Sequence, residues 1–419
     1  MKRIDLRSQI LDARCTDTRL FHKLIKKQRQ KGQSYTNELY VNGQNYSDEK
    51  VVVGWKEHFS SLAQPKNSDS FNNKFHEEVL KDIELIQDIT KHGKPIELTR
   101  KDITDAMKQI HKGKAPDIFN LSIEHFTYTS GNFTNFLFEV IKQILHNQKI
   151  PEILKQGVIT PVYKRKGYSN EACNYRGITV LPVMCKLIEV ILRKGLDPYV
   201  KQAQSPLQRG FTRNSSPMNC ALIIDEYIRD AKDSKETIYV ATLDAKSAFD
   251  VVSHPELMRK VYNIGVDNQL WTLINDLHVG AVSTVKWQGQ ISDPFDIKLG
   301  VRQGGILSAD LYKVYINDGV EQARLSGHGA KIGNISVASP AVCDDLTFMS
   351  KYQEELQILL SIGDNYSDDH RYFYQAKKSA VLPIYHSSRV KPKSYLKPPN
   401  EMLSIPDGIL SIPGGFPFH

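Results

Sequence analysis

Residues 342–348 read Val342-Cys343-Asp344-Asp345-Leu346-Thr347-Phe348, two adjacent carboxylates inside an apolar run. Such a pair is costly anywhere but against solvent or a metal ion, because each charge raises the other's pKa unless a cation neutralises both. Pro340, Ala341 and Val342 on one side, and Leu346, Phe348 and Met349 on the other, read as two short buried strands with the acids at the tight turn between them. A divalent metal ion is the simplest neutraliser. A polar hairpin turn is the alternative reading of the pair taken alone, so a third carboxylate on a partner strand is what decides.

Residues 237–244, Thr-Ile-Tyr-Val-Ala-Thr-Leu-Asp, are a β-branched and aromatic run that stops abruptly at Asp244. Apolar on both alternating faces, the run reads as a central strand covered on each side. Asp244 opens Asp-Ala-Lys-Ser-Ala-Phe-Asp (244–250), which leads into a helical stretch at His254-Pro255-Glu256-Leu257. An acid at the C-terminal end of a buried strand suits a ligand site, and a helix N-cap is the competing reading. Between the two acidic segments lies Gly300-Val301-Arg302-Gln303-Gly304-Gly305-Ile306-Leu307-Ser308. Its glycines permit close backbone approach to a ligand, and Ser308 reads as a helix start. Upstream, Ile159 runs as a strand into the basic turn Lys164-Arg165-Lys166-Gly167, and Asn174 to Val180 reads as the returning strand. Opposite a metal cluster such a hairpin clamps a triphosphate; elsewhere it is a solvated basic loop.

The chain has 419 residues, 40% hydrophobic and 24% charged, enough to bury a core in two or three subdomains. Lys+Arg 55 against Asp+Glu 47 gives a net charge of +8, which favours a polyanionic partner. The five cysteines (Cys15, Cys173, Cys185, Cys220, Cys343) are odd in number and form no C-x-x-C, which argues against a disulfide framework or a zinc site. No apolar run approaches the roughly 20 residues of a membrane span. The opening Met-Lys-Arg-Ile-Asp-Leu-Arg lacks the apolar stretch of a signal peptide. The expectation is an intracellular protein of the nucleus or cytoplasm, not secreted and not on a membrane.

Residues 1–35 are basic and read as helical, with Lys23, Lys26, Lys27, Arg29 and Lys31 on either a solvated face or a nucleic-acid contact. Tyr40 to Tyr46 reads as a hairpin turning at Asn42-Gly43. Helices are expected from about 49 to 62, from Thr99 to a stop at Gly113, over 132–147 and over 182–195, with a polar loop at 64–75. Residues 390–419 are proline-rich and read as a poorly ordered tail.

Taken in order, Asn174-Tyr175-Arg176-Gly177-Ile178, Leu243-Asp244-Ala245-Lys246-Ser247-Ala248-Phe249-Asp250, Gly300-Val301-Arg302-Gln303-Gly304, Cys343-Asp344-Asp345-Leu346 and Lys377-Lys378-Ser379 resemble the motif series of reverse transcriptases. The resemblance is greatest to those of non-LTR (LINE-type) retrotransposons and covers roughly residues 100–385. It implies an α+β fold with right-hand polymerase fingers and palm, an antiparallel palm sheet backed by helices, and a thumb largely missing. The division it suggests is an N-terminal helical and basic extension (1–98), fingers and palm (99–390, motif core about 157–385) and the tail (391–419).

Carried over to matching positions, the resemblance makes Asp244 and Asp344 the carboxylates that bind both of two Mg²⁺ ions and Asp345 the third, less direct member of the metal set, with Mn²⁺ as a substitute. Phe249 becomes the aromatic gate against a ribose 2′-OH, with an ordinary core aromatic as its competing reading. Lys164 and Arg176 hold the incoming triphosphate, and Gln303 and Gly304 line the nucleotide and template pocket. Gln208 and Gly210, in Gln208-Arg209-Gly210-Phe211, contact template. Lys378 protonates the leaving pyrophosphate, an exposed loop lysine being the alternative. The implied partners are an RNA template, a DNA primer and dNTP. Ala309, Val342-Cys343, Asp117 and Gln375 depart from the family pattern without removing a metal ligand. The competing functions are a catalytically silent nucleic-acid-binding remnant, and an RNA-dependent RNA polymerase in which Asp250 imitates a second motif acid. The missing thumb leads to the expectation of a fragment of a larger reading frame.

Overall fold

The computed structural model describes residues 36–385 together with residues 11–14, 16–18, 20 and 21. The basic run from Lys23 to Lys31 and the proline-rich tail, both singled out above, lie outside the described residues. Residues 38–47 form a hairpin, β1 (Glu38–Val41) and β2 (Gln44–Ser47). Asn42 and Gly43 both take positive φ, 49° and 86°, as the two-residue turn matched to strand twist requires. Helices α1 (Val51–Leu62), α2 (Asn73–Lys91), α3 (Arg100–Gln109), α4 (Ile123–Thr127) and α5 (Gly131–His146) follow. Next come β3 (Gln156–Tyr163), β4 (Tyr175–Val180), α6 (Val183–Ala203), α7 (Pro217–Asp233) and β5 (Ile238–Asp244). Then α8 (His254–Asn263) and α9 (Gln269–Asp276) lead to β6 (Val282–Trp287), β7 (Gln290–Ile291) and β8 (Phe295–Asp296). The remainder is α10 (Ser308–Leu325), β9 (Lys331–Ile332), β10 (Ile335–Ser336), β11 (Ala341–Val342), β12 (Asp345–Ser350), α11 (Gln353–Asp369) and β13 (Ala380–Ile384).

Two sheets carry the architecture. The first, in the order β11-β12-β5-β13, is antiparallel throughout, so β5 is internal as its apolar run requires. The second is mixed. It runs β4-β3-β6-β7 with β8 also on β6, and β3 pairs β4 antiparallel and β6 parallel. One large core joins the first sheet to α6, α8, α10 and α11. A smaller one joins β1, β2 and α1 to the mixed sheet around Trp55, whose ring meets Tyr175 at 4.7 Å and Trp287 at 5.1 Å between centroids.

Two helix ends differ from the sequence reading. α3 starts at the expected capping box, Thr99 with Asp102, but stops at Gln109 because Ile110 turns extended (φ −83°, ψ 124°) well before Gly113. The chain that leaves there carries Asp117 to the start of α6. Asp117 Oδ2 accepts from Val183 N at 2.8 Å, and Oδ1 accepts from Phe119 N and Leu121 N at 2.9 Å each. The departure from the family pattern at Asp117 therefore supplies the cap that Pro182 does not. α6 continues through Pro198 to Ala203. A mid-helix proline costs about 3 kcal/mol, whereas burying Leu187, Ile188, Ile191, Leu192, Leu196 and Val200 contributes about 1.5–3 kcal/mol for each side chain. Packing wins.

Candidate active site

β5 and β12 end together at one edge of the antiparallel sheet. Their register pairs Leu243 with Leu346 and Asp244 with Asp345. β11 and β12 are joined by the two-residue turn Cys343-Asp344, so Asp344 projects from the turn beside that pair. Apolar residues fill both strands up to this edge, and the three acids begin where the core stops. Asp344 is half-buried and Asp345 exposed. Burial, and after it the charge of Asp244, pushes the Asp344 carboxyl above its usual range. The same holds for Asp345, where loss of water acts first and the charges of Asp344 and Asp244 follow.

Lys378 enters this acidic edge from the turn before β13. Its ammonium donates to Asp244 at 3.0 and 3.3 Å. The turn is held to β5 by Gln375 N donating to Asp244 O at 2.7 Å and by the pairing of Ala380 with Thr242. Among the described residues, no group of three or more His, Cys, Asp or Glu is gathered closely enough to hold a metal ion. The donor chemistry fits a divalent cation nonetheless: three hard carboxylates share one strand edge, and their mutual repulsion is offset only in part by Lys378. Binding a cation there requires Asp244 to exchange the lysine for the metal.

The β3–β4 hairpin brings its basic residues to the same place. Lys164 Nζ donates to Cys173 O at 2.8 Å. Burial lowers the Lys164 pKa, and the nearby charges of Lys378 and Arg176 lower it further. Three cations thus share one field across from the acids. The glycine-rich loop docks on the edge of β4, where Thr179 N donates to Gln303 O at 2.7 Å. Gly304 there has φ +124°, and a Cβ on it would lie 2.4 Å from Thr179 O. Gln303 turns its amide to Asp250, Nε2 to Oδ1 at 3.2 Å.

Phe249 sits on a short 3₁₀ turn after β5, stacked on Tyr312 at 4.8 Å and 10° and meeting Phe211 edge-on at 6.3 Å. Tyr312 lies close enough to Asp344 for that carboxylate to add to the effect of burial on its hydroxyl. Tyr312 was not singled out in the sequence; its only signal is the apolar face of α10 on which it falls. The two residues expected to contact template, Gln208 and Gly210, lie beside the Cys343 backbone. Gln208 is 1% exposed, its amide spent on Cys343 and Gly210, and Gly210 is pressed against the Cys343 backbone. Both residues are buried in the fold.

Asp250, noted above only as an imitator, is a half-buried partner of this site. Burial pushes its carboxyl up to about 6, against which Gln303 and Lys164 act. The ionised form is therefore disfavoured in the fold, and the contribution of this group to stability falls as pH rises from about 4 to 6. Asp250→Asn, which keeps an oxygen for Gln303, removes that loss. The variant is expected to gain about 1–2 kcal/mol in urea unfolding at pH 7.5, a discount on the full shift for partial solvent access, and nothing at pH 4.

The chain has relatives among known proteins. A retrovirus-related Pol polyprotein from the type-1 retrotransposable element R2 of Popillia japonica is 26% identical over 251 residues, 59% of this chain and 35% of that protein. The Pol polyprotein of the type-2 element R2DM of Drosophila melanogaster is 28% identical over 187 residues, 45% of this chain and 17% of its own. The RNA-directed DNA polymerase from mobile element jockey of Drosophila funebris is 25% identical over 257 residues, 61% of this chain and 27% of that protein. The matched part thus spans 17–35% of these relatives' length. No helix of the described residues is long and apolar enough to cross a membrane. Residues 162–396, more than half of the sequence and containing Asp244, Asp344 and Asp345, match the family described as reverse transcriptase (RNA-dependent DNA polymerase), and the chain belongs to that family.

Proposed function

We propose that this chain is the polymerase core of a retrotransposon protein, adding dNTPs to a DNA primer 3′-OH on an RNA template. The observation that carries the reading is the register of Asp244 against Asp345 with Asp344 on the adjoining turn. In this reading the antiparallel sheet is the palm, and the mixed sheet with its basic hairpin is the fingers. Asp244, Asp344 and Asp345 hold two Mg²⁺ ions, for which Mn²⁺ substitutes. When bound, such ions activate the attacking hydroxyl and stabilise the departing oxygen.

The chain's own groups do the rest. Lys164 and Arg176 neutralise the triphosphate, Gln303 and Gly304 line the nucleotide pocket, and the template–primer is held through its backbone, so binding weakens with salt. Lys378, displaced from Asp244, carries a proton to the pyrophosphate oxygen. Phe249 closes the space that a 2′-OH needs, its ring fixed by the Tyr312 stack.

Primer extension on an RNA template tests this, with expected incorporation of dNTPs and not NTPs. Phe249→Ala is expected to admit NTPs, raising their kcat/KM relative to dNTPs by about tenfold or more. Lower stability with unchanged sugar choice would leave Phe249 as a core aromatic only. The remnant reading is favoured by one observation, the Asp244–Lys378 ion pair, which neutralises a ligand without metal. Nucleic-acid binding without extension at any Mg²⁺ or Mn²⁺ concentration would decide for it.

A further inference from the structure

We propose that Gln208 and Gly210 are positioning residues for the turn that carries Asp344, and that they act on cation binding rather than on template. The proposal rests on the reading of Asp344 and Asp345 as cation ligands. Cys343 occupies the left-handed region, φ +62°, in a two-residue hairpin turn. An L side chain is strained there, and such a conformation persists only where its surroundings over-determine it. The surroundings here are specific. Gln208 Oε1 accepts from Cys343 N at 2.8 Å and from Gly210 N at 2.8 Å, while Nε2 donates to Cys343 O at 3.1 Å. One amide therefore pairs both backbone groups of the strained residue. Two N–H donors converge on one of its atoms, which fixes that atom as oxygen.

Gly210 makes the approach possible, since a Cβ on it would lie 2.2 Å from Cys343 N and 2.8 Å from Cys343 Cα. The clamp is itself braced. Arg209 N donates to Ala341 O at 2.8 Å and Ala341 N to Leu207 O at 3.0 Å, so residues 207–209 cover the free edge of β11. Gln204 Nε2 and Thr212 Oγ1 hold Gln208 O at 2.9 and 3.2 Å. On α10, Asn317 donates to Ala203 O at 3.0 Å and accepts from Ser205 N at 2.7 Å. A continuous set of hydrogen bonds thus runs from α10 through residues 203–212 to the carboxylate turn. Groups that orient metal ligands from behind typically change affinity 10- to 100-fold when lost.

The test uses the full chain with Gln208→Met, which keeps the buried volume and loses the amide, and Gln208→Glu, which keeps the accepting oxygen and loses the donor. Mn²⁺ alone is the cation probe, followed by electron paramagnetic resonance; template–primer affinity is read by fluorescence anisotropy. In Gln208→Met, hydrogen-exchange protection of the Cys343 amide is expected to disappear, and alkylation of the Cys343 thiol, 6% exposed in the wild type, to rise tenfold or more. Mn²⁺ affinity is expected to fall 10- to 100-fold with template–primer Kd within twofold, and Gln208→Glu to fall between. Cys343→Gly added to Gln208→Met is expected to recover Mn²⁺ affinity, because glycine takes the left-handed conformation without a clamp. A fold-only role predicts no such recovery.

The proposal is overturned if Mn²⁺ affinity is unchanged while template–primer binding weakens, or if Cys343 protection is lost with no change in Mn²⁺ affinity. If Gln208→Met does not fold, a Gln208→Glu chain with wild-type Mn²⁺ affinity overturns it equally. Failure of the underlying reading looks different: wild-type Mn²⁺ binding that Asp344→Asn leaves intact.

Discussion

Asp344→Asn is expected to lower nucleotide addition by about three orders of magnitude or more while the chain becomes no less stable. The activity loss follows from removing one of three ligands whose combined field would stabilise several kcal/mol of transition-state charge, at about 1.4 kcal/mol per decade of rate. The stability sign follows from the same crowding. Asp344 carries a carboxyl pushed above its usual range by burial and by the facing Asp244. The folded state therefore disfavours its charge, and the uncharged isostere relieves that at neutral pH. Single-turnover primer extension alongside urea unfolding measures both. A variant that loses activity and stability together would mean that Asp344 holds the turn rather than the chemistry. An unchanged rate would remove it from the site altogether.

Much of this edge was legible in the sequence because strand chemistry is local. Branched and aromatic runs that end in acids at Asp244, and that resume after Asp345, mark strands whose cores stop at a charged boundary. Capping signals are local too, so Thr99 with Asp102 identified the start of α3. What stayed hidden is tertiary. The pairing of Asp244 with Asp345 depends on the register of strands far apart in the chain, which no local pattern sets. The helix expected over 182–195 runs on through Pro198 to Ala203, because the apolar face of α6 outweighs the proline. The burial of Gln208 was likewise hidden, since a polar residue between Ser205 and Arg209 has no local mark of it. Only its three contacts around Cys343 and Gly210 reveal that it faces inward. Asp250 escaped for the same reason, its burial being set by the distant Gln303 loop and the Lys164 hairpin.

Gly304→Ala is expected to be a strongly damaging single-methyl change near the site, and its effect should separate nucleotide binding from template binding. Two costs combine. At φ +124° an alanine is strained by about 1–3 kcal/mol, whatever space surrounds it. Its methyl would also sit 2.4 Å from the Thr179 carbonyl oxygen, a backbone atom of β4 that no side-chain rotation can move aside. The loop must then lift from the strand, which breaks the 2.7 Å bond from Thr179 N to Gln303 O. Loss of that bond adds about 1 kcal/mol, and more if the buried N–H finds no new partner. A lifted loop also draws Gln303 from Asp250 and leaves that half-buried carboxyl without its donor. The expected outcome is a loss of about 3 kcal/mol or more in urea unfolding, with KM for dNTP raised about tenfold or more. Template–primer affinity is expected to fall less than dNTP affinity, because backbone contacts spread along a duplex dominate it. Equal loss of dNTP and template–primer binding would show that the loop supports the whole cleft. Unchanged stability would show that β4 yields to the methyl, and that the close approach of the two backbones is not what fixes Gln303.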